Sequence, residues 1–210
     1  MPEAGVEQPP TRPLQPGSPV SPSRQPSSDT AAAEDLVGQR IANRYTLLRL
    51  LGVGGMGAVF LARDDELDDL VALKKLHSRT AECASTMGIL RREVRLARRV
   101  THRNVARIYE LGEHDKDRFL TMEYVAGNSL AALMERGRLP LMRSIAILEE
   151  VCAGLQAVHD AGIIHRDVKP HHVLVAHDGR VVISDFGVAG SRLDFNRSHQ
   201  IPVGTPAYMA

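Results

Sequence analysis

The chain has 210 residues, and its 26 Lys and Arg nearly balance its 25 Asp and Glu, which gives a formal net charge of +1. Binding to nucleic acid or to an anionic membrane needs concentrated positive charge, so we expect neither partner. Two cysteines are too few for a disulfide framework, no apolar run is long enough to cross a bilayer, and the N-terminus lacks a secretory leader, so we expect a cytoplasmic protein.

The first segment differs in composition from the rest of the chain. Residues up to about Ser28 are rich in Pro, Ser and Gln and poor in large apolar side chains. Such a segment buries too little surface to offset the entropy lost on ordering. We therefore predict a disordered tail over residues 1–36 and a folded domain over residues 37–210.

Short apolar runs predict the strands of this domain. The runs at 45–51, 58–62 and 70–76 predict a meander of three antiparallel strands. A helix is predicted at 87–100, with Leu90, Val94 and Ala97 on one face. Two more strands are then expected, at 105–111 and 118–125.

The most regular helical pattern in the chain lies at 141–159. Ile145, Leu148, Cys152, Leu155 and Val158 recur at helical spacing and form an apolar stripe. Gly162 is a suitable residue to end the helix.

A glycine-rich segment separates the first two predicted strands. Gly52-Val53-Gly54-Gly55-Met56-Gly57-Ala58-Val59 fits the pattern G-x-G-x-x-G-x-V, in which backbone amides can approach phosphate oxygens. A dinucleotide-binding turn needs a helix after the glycines, but the residues that follow are β-prone. No Gly-Lys-Ser/Thr follows, which excludes a Walker A loop. The pattern favours a hairpin folded over a nucleotide.

The third predicted strand carries a lysine in Val71-Ala72-Leu73-Lys74. A lysine on the buried side of a strand is costly unless an acid pairs with it. Glu93, on the following predicted helix, is a candidate. Lys75 should point to the opposite face of the strand, as a solvated charge.

These elements, followed by His102-Arg103-Asn104-Val105, resemble the smaller lobe of a protein kinase. The resemblance implies an α+β, protein kinase-like two-lobe fold, with a complete N-lobe at about 41–124 and a partial helical C-lobe at 125–210. It also implies that Lys74 holds the phosphates of ATP and forms an ion pair with Glu93.

Thr121-Met122-Glu123-Tyr124-Val125 resembles the segment that joins the two kinase lobes. The resemblance implies that the backbone of this segment hydrogen-bonds the adenine ring. Each residue could instead be an ordinary core residue of a sheet. The implied ATP-binding residues are Leu51, Gly52, Val53, Gly54, Gly55, Met56, Gly57, Val59, Ala72, Lys74, Met122, Glu123, Val125, Leu174 and Asp185. Among them, Leu51, Val59, Ala72 and Leu174 would enclose the adenine ring.

Two later motifs resemble the catalytic and metal-binding loops of the same family. In His165-Arg166-Asp167-Val168-Lys169-Pro170, Asp167 would accept the proton of the substrate hydroxyl and Lys169 would neutralise the γ-phosphoryl group. A lysine at 169 is typical of the Ser/Thr class. In Asp185-Phe186-Gly187, Asp185 would bind Mg²⁺. The resemblance implies an ATP-dependent Ser/Thr protein kinase of the bacterial Hanks type, acting on a protein substrate.

The segment from Gly204 to Ala210 resembles the part of a kinase that receives the substrate's acceptor region. Arg166 suggests control by phosphorylation of the preceding loop, because a guanidinium can pair with a phosphate. Ser191, Ser198 and Thr205 are the hydroxyls available there.

Two features depart from the family pattern. His172 stands where the family has an asparagine whose oxygen helps to hold a second Mg²⁺. The candidate metal ligands are Asp185 and His172, and an imidazole suits softer ions such as Mn²⁺ or Zn²⁺ better than Mg²⁺. Three outcomes stay open: the activity is reduced, the metal preference shifts, or the protein binds nucleotide without transfer. We favour reduced activity over a new metal site. The chain also stops within the C-lobe pattern, so we expect an exposed apolar patch on the 141–159 helix. A pseudokinase and an inert folded remnant are the alternative functions.

Overall fold

A computed structural model of the chain describes residues 28–55, 57–76 and 84–185. These residues form a larger and a smaller antiparallel β-sheet with helices packed on them, which confirms the α+β class. The strands are β1 (Arg40–Ile41), β2 (Tyr45–Gly54), β3 (Gly57–Asp64), β4 (Asp69–Leu76), β5 (Ile108–His114), β6 (Asp117–Glu123), β7 (Gly127–Ser129), β8 (Val173–Ala176) and β9 (Val181–Ile183). The helices are α1 (Ser28–Glu34), α2 (Ala84–Ala97), α3 (Leu130–Glu135) and α4 (Leu141–Asp160), with a 3-10 turn at Pro170–His172.

The larger sheet has the order β1-β2-β3-β4-β6-β5, and β2, β3 and β4 form the predicted antiparallel meander. Because side chains alternate along a strand, its two faces build two separate cores. Ala72 of β4 lies in the core that α2 covers, whereas Leu73 lies in the core on the other face. Leu90 and Val94 are buried on the side of α2 that faces the sheet, as predicted.

The predicted disordered tail is wrong for residues 28–34, which form α1. Ala33 of this helix is buried with Ile41, Leu47 and Phe60 on the outer face of the larger sheet. Alanine favours helix and needs little space, so one buried methyl group anchors a segment that composition alone assigns to a tail. The rest of the predicted tail, residues 1–27, lies outside the described residues.

The stripe predicted on α4 is divided between the inside and the surface. Val158 is buried, but Ile145, Leu148 and Cys152 are exposed. The face of α4 that packs against the rest of the protein instead consists of Ile147, Val151, Gly154 and Val158. Gly154 lets the helix approach the 104 backbone closely, since a Cβ there would lie 2.6 Å from the carbonyl oxygen of Asn104. The exposed apolar face expected on this helix is present in the described residues.

Asn104 connects the part of the chain after α2 to the smaller sheet, which has the order β7-β8-β9. Its buried amide nitrogen donates to Oε2 of Glu150 on α4 and to the carbonyl of Val181, both at 2.7 Å. The backbone N–H of Ile183 also donates to the Asn104 carbonyl at 2.9 Å. This pairing with β9 occupies residues 104–106, so β5 begins at Ile108 rather than at the predicted 105.

None of the helices in the described ranges combines the length and the apolar character needed to cross a membrane.

Candidate functional site

The glycine-rich segment forms the end of the hairpin between β2 and β3. Gly54 lies opposite Gly57 in the register, and strand rather than helix follows the glycines, which confirms the predicted hairpin. Gly57 has φ +141°, and a Cβ there would lie 1.9 Å from the backbone oxygen of Lys75, so only glycine fits. At Gly52 and Gly54 a Cβ would meet nothing within 4 Å, so this backbone is open to an approaching group. Met56 lies outside the described residues.

Lys74 is buried on the face of β4 that α2 covers, and its ammonium group pairs with Oδ1 of Asp185. Burial acts to raise the pKa of Asp185, but Lys74 holds that pKa below its ordinary value, so the carboxyl group is charged. Lys75 lies on the opposite face, with Nζ 3.0 Å from Oδ2 of Asp117. The structure thus confirms that the two lysines lie on opposite faces of β4.

Glu93 of α2 has a different ionic contact from the predicted one. Its Oε1 lies 3.9 Å from Nη1 of Arg166 in the predicted catalytic loop. The carboxylate that pairs with Lys74 comes from Asp185. The sequence suggested Glu93 because a buried lysine requires an acid, but Asp185, which is 111 residues further along the chain, meets that requirement.

The segment predicted to meet adenine connects the two sheets. Met122 is buried opposite Ala72 in the β4–β6 register, and Val125 is buried beside Leu174 and Val182. The N–H of Glu123 donates to the carbonyl of Arg107 at 2.8 Å. An adenine edge at this residue would therefore have to use the Glu123 carbonyl group.

The side chains predicted to enclose the adenine ring come from both sheets. Val59 and Ala72 belong to the core under the larger sheet, and Leu174 belongs to the cluster under the smaller sheet. Leu51, at the end of β2, is 38% exposed. Three of the four, Val59, Ala72 and Leu174, thus pack in these cores as well, which is the alternative that the sequence left open.

The predicted catalytic loop brings Asp167 and Lys169 together. Nζ of Lys169 lies 3.0 Å from Oδ2 of Asp167, and both side chains are largely shielded from solvent. The buried ring of His165 supports the loop from below, with Nε2 3.0 Å from the carbonyl oxygen of Ser184, the residue before Asp185. Burial lowers the pKa of His165, so the ring is neutral in this setting.

His172 lies between the two predicted carboxylates. Its Nδ1 is 2.8 Å from the backbone oxygen of Asp167, and its Nε2 is 3.8 Å from Oδ2 of Asp185. Burial lowers the pKa of His172, which favours the neutral ring. The 3-10 turn at Pro170–His172 produces this arrangement by turning the chain back under the catalytic loop.

The described residues contain no group of three or more His, Cys, Asp and Glu side chains that could hold a metal ion by themselves. The charged carboxylate of Asp185 fits Mg²⁺, which prefers oxygen ligands. The imidazole of His172 does not supply an oxygen. A metal ion at this site would therefore need ligands from a bound nucleotide as well as Asp185.

Arg180 is the residue of this region that the sequence analysis missed. It lies in the turn between β8 and β9, and its Nη2 is 2.5 Å from Oε1 of Glu123, at the end of β6. Its Nη1 also donates to the Arg103 carbonyl at 3.3 Å. The turn residues Asp178 and Gly179 mark the hairpin in the sequence, but nothing there indicates the partner 57 residues away.

Several predicted functional residues lie outside the described part of the chain. They are Phe186, Gly187, Ser191, Ser198, Thr205 and the segment 204–210.

Comparisons with known proteins agree with this geometry. The family model for the protein kinase domain matches residues 45–210. The serine/threonine-protein kinase PrkC of Bacillus subtilis is 39% identical over 155 residues, which are 73% of this chain and 24% of that protein. The serine/threonine-protein kinase PknL of Mycobacterium tuberculosis is 36% identical over 173 residues, which are 80% of this chain and 43% of that protein. The chain thus spans between about a quarter and two fifths of the length of these two relatives.

A crystal structure of the Mycobacterium tuberculosis PknI kinase domain superposes with a TM-score of 0.64 and 31% identity. The match covers 72% of this chain and 62% of that one. It extends the likeness from sequence to the two-lobe arrangement.

Proposed function

The chain belongs to the protein kinase family, and on that premise we propose that the protein transfers the γ-phosphoryl group of ATP to a Ser or Thr hydroxyl of a protein substrate. One observation carries the proposal. Lys74 and Asp185 form an ion pair, and His172 lies between Asp185 and the loop that holds Asp167. Side chains from β4, from the predicted catalytic loop and from the residues just after β9 therefore converge on one place.

Each group has a role in the proposed transfer. Lys74 binds the phosphates of ATP, and Asp167 orients the substrate hydroxyl and accepts its proton. The hydroxyl oxygen forms a bond to the γ-phosphorus as the bond from that phosphorus to the β–γ bridging oxygen breaks, and ADP leaves. Lys169, 3.0 Å from Asp167, neutralises charge on the group in transfer.

Asp185 is the residue that would hold Mg²⁺. The bound ion supplies neutralisation of the charge on the nucleotide phosphates. The structure supports Asp185 in this role, because the carboxyl group is charged and inside the site. We also propose a cytoplasmic location, because ATP is available there.

The test is transfer of labelled phosphate from ATP to a generic basic protein. Asp167→Asn should lower the rate by about a hundredfold or more, because it removes the group that accepts the proton. Asp115→Asn is the matched control, since Asp115 is 88% exposed at the β5–β6 turn, and its rate should equal that of the unmodified protein. Equal rates in both variants would contradict the residue assignments.

The position of His172 favours a second candidate, a pseudokinase that binds nucleotide without transfer. An imidazole lies 3.8 Å from Asp185, where the family has an oxygen ligand. A ligand that binds the native state raises the unfolding temperature, so a thermal shift with ATP separates both candidates from an inert remnant. A shift without any measurable transfer would select the pseudokinase.

A further inference from the structure

We propose that His172 is a nitrogen ligand in the nucleotide site, and that the pair His172–Asp185 selects a transition-metal dication, Mn²⁺ in particular, over Mg²⁺. The proposal rests on the nucleotide binding proposed above. It concerns this chain's own departure from the family pattern, which has an oxygen ligand at this position.

The hydrogen bond of His172 decides which ring nitrogen is available. Nδ1 lies 2.8 Å from the backbone oxygen of Asp167. A carbonyl oxygen can only accept, so Nδ1 carries the proton and donates. Nε2 is then the ring nitrogen that is left to bind a metal ion. A hydrogen bond from one ring nitrogen to a backbone carbonyl is also the usual way in which metal-binding histidines are oriented.

Nε2 lies near the carboxylate of Asp185. Nε2 lies 3.8 Å from Oδ2 of Asp185, which is beyond the distance of a hydrogen bond. The other oxygen of the same carboxylate, Oδ1, pairs with Lys74, which leaves Oδ2 on the side of His172. Nε2 and Oδ2 are therefore the two protein atoms that a metal ion between these side chains would contact. Both are close enough to share one ion, whose bonds to nitrogen and oxygen are about 2.1 Å.

The donor types decide which ion is favoured. Mg²⁺ demands oxygen ligands in octahedral geometry, so an imidazole at this position is a poor ligand for it. Mn²⁺ shares the preference of Mg²⁺ for carboxylate and phosphate oxygens, but as a first-row transition-metal dication it accepts an imidazole ligand more readily than Mg²⁺ does. One imidazole, one carboxylate and the phosphates of a nucleotide therefore suit Mn²⁺ better than Mg²⁺.

The number of protein ligands predicts when the ion binds. No cluster of three potential ligands exists among the described residues, so His172 and Asp185 cannot hold the ion tightly alone. We expect tight Mn²⁺ binding only when nucleotide phosphates complete the coordination.

Pulsed electron paramagnetic resonance of Mn²⁺, with a non-hydrolysable ATP analogue bound to the protein, tests the proposal. Protein labelled with ¹⁵N only at histidine should show a ¹⁵N coupling to Mn²⁺, which separates histidine from the nitrogens of adenine. His172→Asn should remove that coupling and lower the preference for Mn²⁺ over Mg²⁺, measured as the ratio of the two dissociation constants. His171→Asn is the matched control, because His171 is the exposed neighbour in the same turn, and it should keep both.

Each outcome is informative. Absence of the ¹⁵N coupling in the unmodified protein, with the analogue bound, overturns the proposal, and so does a coupling that persists in His172→Asn. The labelled unmodified protein gives an answer even where a variant fails to fold. A thermal shift with the analogue and Mg²⁺ is recorded on the same samples; a shift without ¹⁵N coupling contradicts the metal ligand but leaves the proposed nucleotide binding intact.

Discussion

The guanidinium group of Arg180 lies 2.5 Å from the carboxylate of Glu123, and the pair joins the turn between β8 and β9 to the segment that connects the two sheets. The other carboxylate oxygen of Glu123 accepts from the backbone N–H of Arg107 at 3.3 Å. The N–H of His177, in the same turn as Arg180, donates to the carbonyl of Ala126 at 2.9 Å. The turn between β8 and β9 thus holds the connecting segment near both of its ends, at Glu123 and at Ala126.

We predict that Arg180→Met weakens nucleotide binding by about three- to tenfold without a comparable change in the transfer rate at saturating ATP. Arg180 does not reach the predicted catalytic groups, but it fixes the segment whose backbone is proposed to meet adenine. Isothermal titration of an ATP analogue gives the affinity. Contacting ionic partners couple by about 0.5–3 kcal/mol, so Arg180→Met and Glu123→Gln should be clearly non-additive.

The exposed Arg143 of α4 provides the control for this pair, and Arg143→Met should leave the affinity unchanged. Arg180→Lys keeps the charge and should recover part of the loss. Additive effects of the two substitutions at 180 and 123 would show that the pair does not position the segment.

A second prediction compares two glycines of the β2–β3 hairpin. Gly57→Ala should lower the free energy of unfolding by about 2 kcal/mol or more, because the new methyl group meets the Lys75 backbone oxygen at a positive φ. Gly54→Ala should change it by less than about 0.5 kcal/mol, because the added Cβ meets nothing within 4 Å. Urea unfolding without nucleotide measures both. A loss for Gly57→Ala no larger than that for Gly54→Ala would mean that the hairpin accommodates alanine at position 57 in another conformation.

The third prediction concerns the buried amide of Asn104. Asn104→Ala should cost about 2–3 kcal/mol, because it leaves the Val181 carbonyl and the Glu150 carboxylate without this donor. Asn128→Ala is the control, since its oxygen accepts only at the exposed surface, from Arg136. The control should cost less than about 0.5 kcal/mol in the same urea titration. A similar cost at both sites would contradict the role of Asn104 in joining α4 to β9.

The fourth prediction follows from a buried carboxylate at the other end of the larger sheet. Nη2 of Arg44 lies 2.6 Å from Oδ2 of Asp64, and this bond holds the pKa of Asp64 below its ordinary value of 3.8. A group with a lowered folded pKa stabilises the protein above its unfolded pKa, and the stabilisation is lost as the pH falls through the folded pKa. Arg44→Met should therefore cost about 1–2 kcal/mol near neutral pH and progressively less below about pH 4.

Urea unfolding at several pH values measures this difference. Arg49→Met, an exposed arginine on β2, should show the same pH dependence as the unmodified protein. A cost for Arg44→Met that stays constant down to acid pH would show that the ion pair is not its cause.

The local sequence pattern was sufficient to predict which side chains are buried wherever one face of an element is clearly apolar. The alternation along β4 correctly separated Lys74 from Lys75, and the spacing on α2 correctly indicated Leu90 and Val94. On α4 the pattern was not sufficient, because two faces of the helix have helical spacing. One is the predicted, bulkier stripe that begins at Ile145, and the other is the buried face formed by Ile147, Val151, Gly154 and Val158. Gly154 decides between them, since the close approach to Asn104 requires a residue without a Cβ.

The sequence pattern did not predict contacts between residues that lie far apart in the chain. The need of a buried lysine for an acid and the family resemblance suggested that Lys74 pairs with Glu93, but the structure gives Lys74 the carboxylate of Asp185 and places Glu93 near Arg166. Both choices satisfy the same rule for a buried charge, and only the folded arrangement distinguishes them. Arg180 and Glu123 show the same limit, because neither residue type nor spacing connects them.

The last prediction concerns transfer itself. With Mg²⁺, His172→Asn should transfer phosphate about tenfold faster than the unmodified protein, because an amide oxygen replaces a nitrogen beside Asp185. The amide N–H₂ can still donate to the Asp167 carbonyl that Nδ1 of His172 now contacts, so the loop should keep its form. The ratio of the rates with Mn²⁺ and Mg²⁺ should fall accordingly, and His171→Asn should leave that ratio unchanged. If the asparagine variant is no faster with Mg²⁺, the step that limits transfer does not depend on the residue at 172.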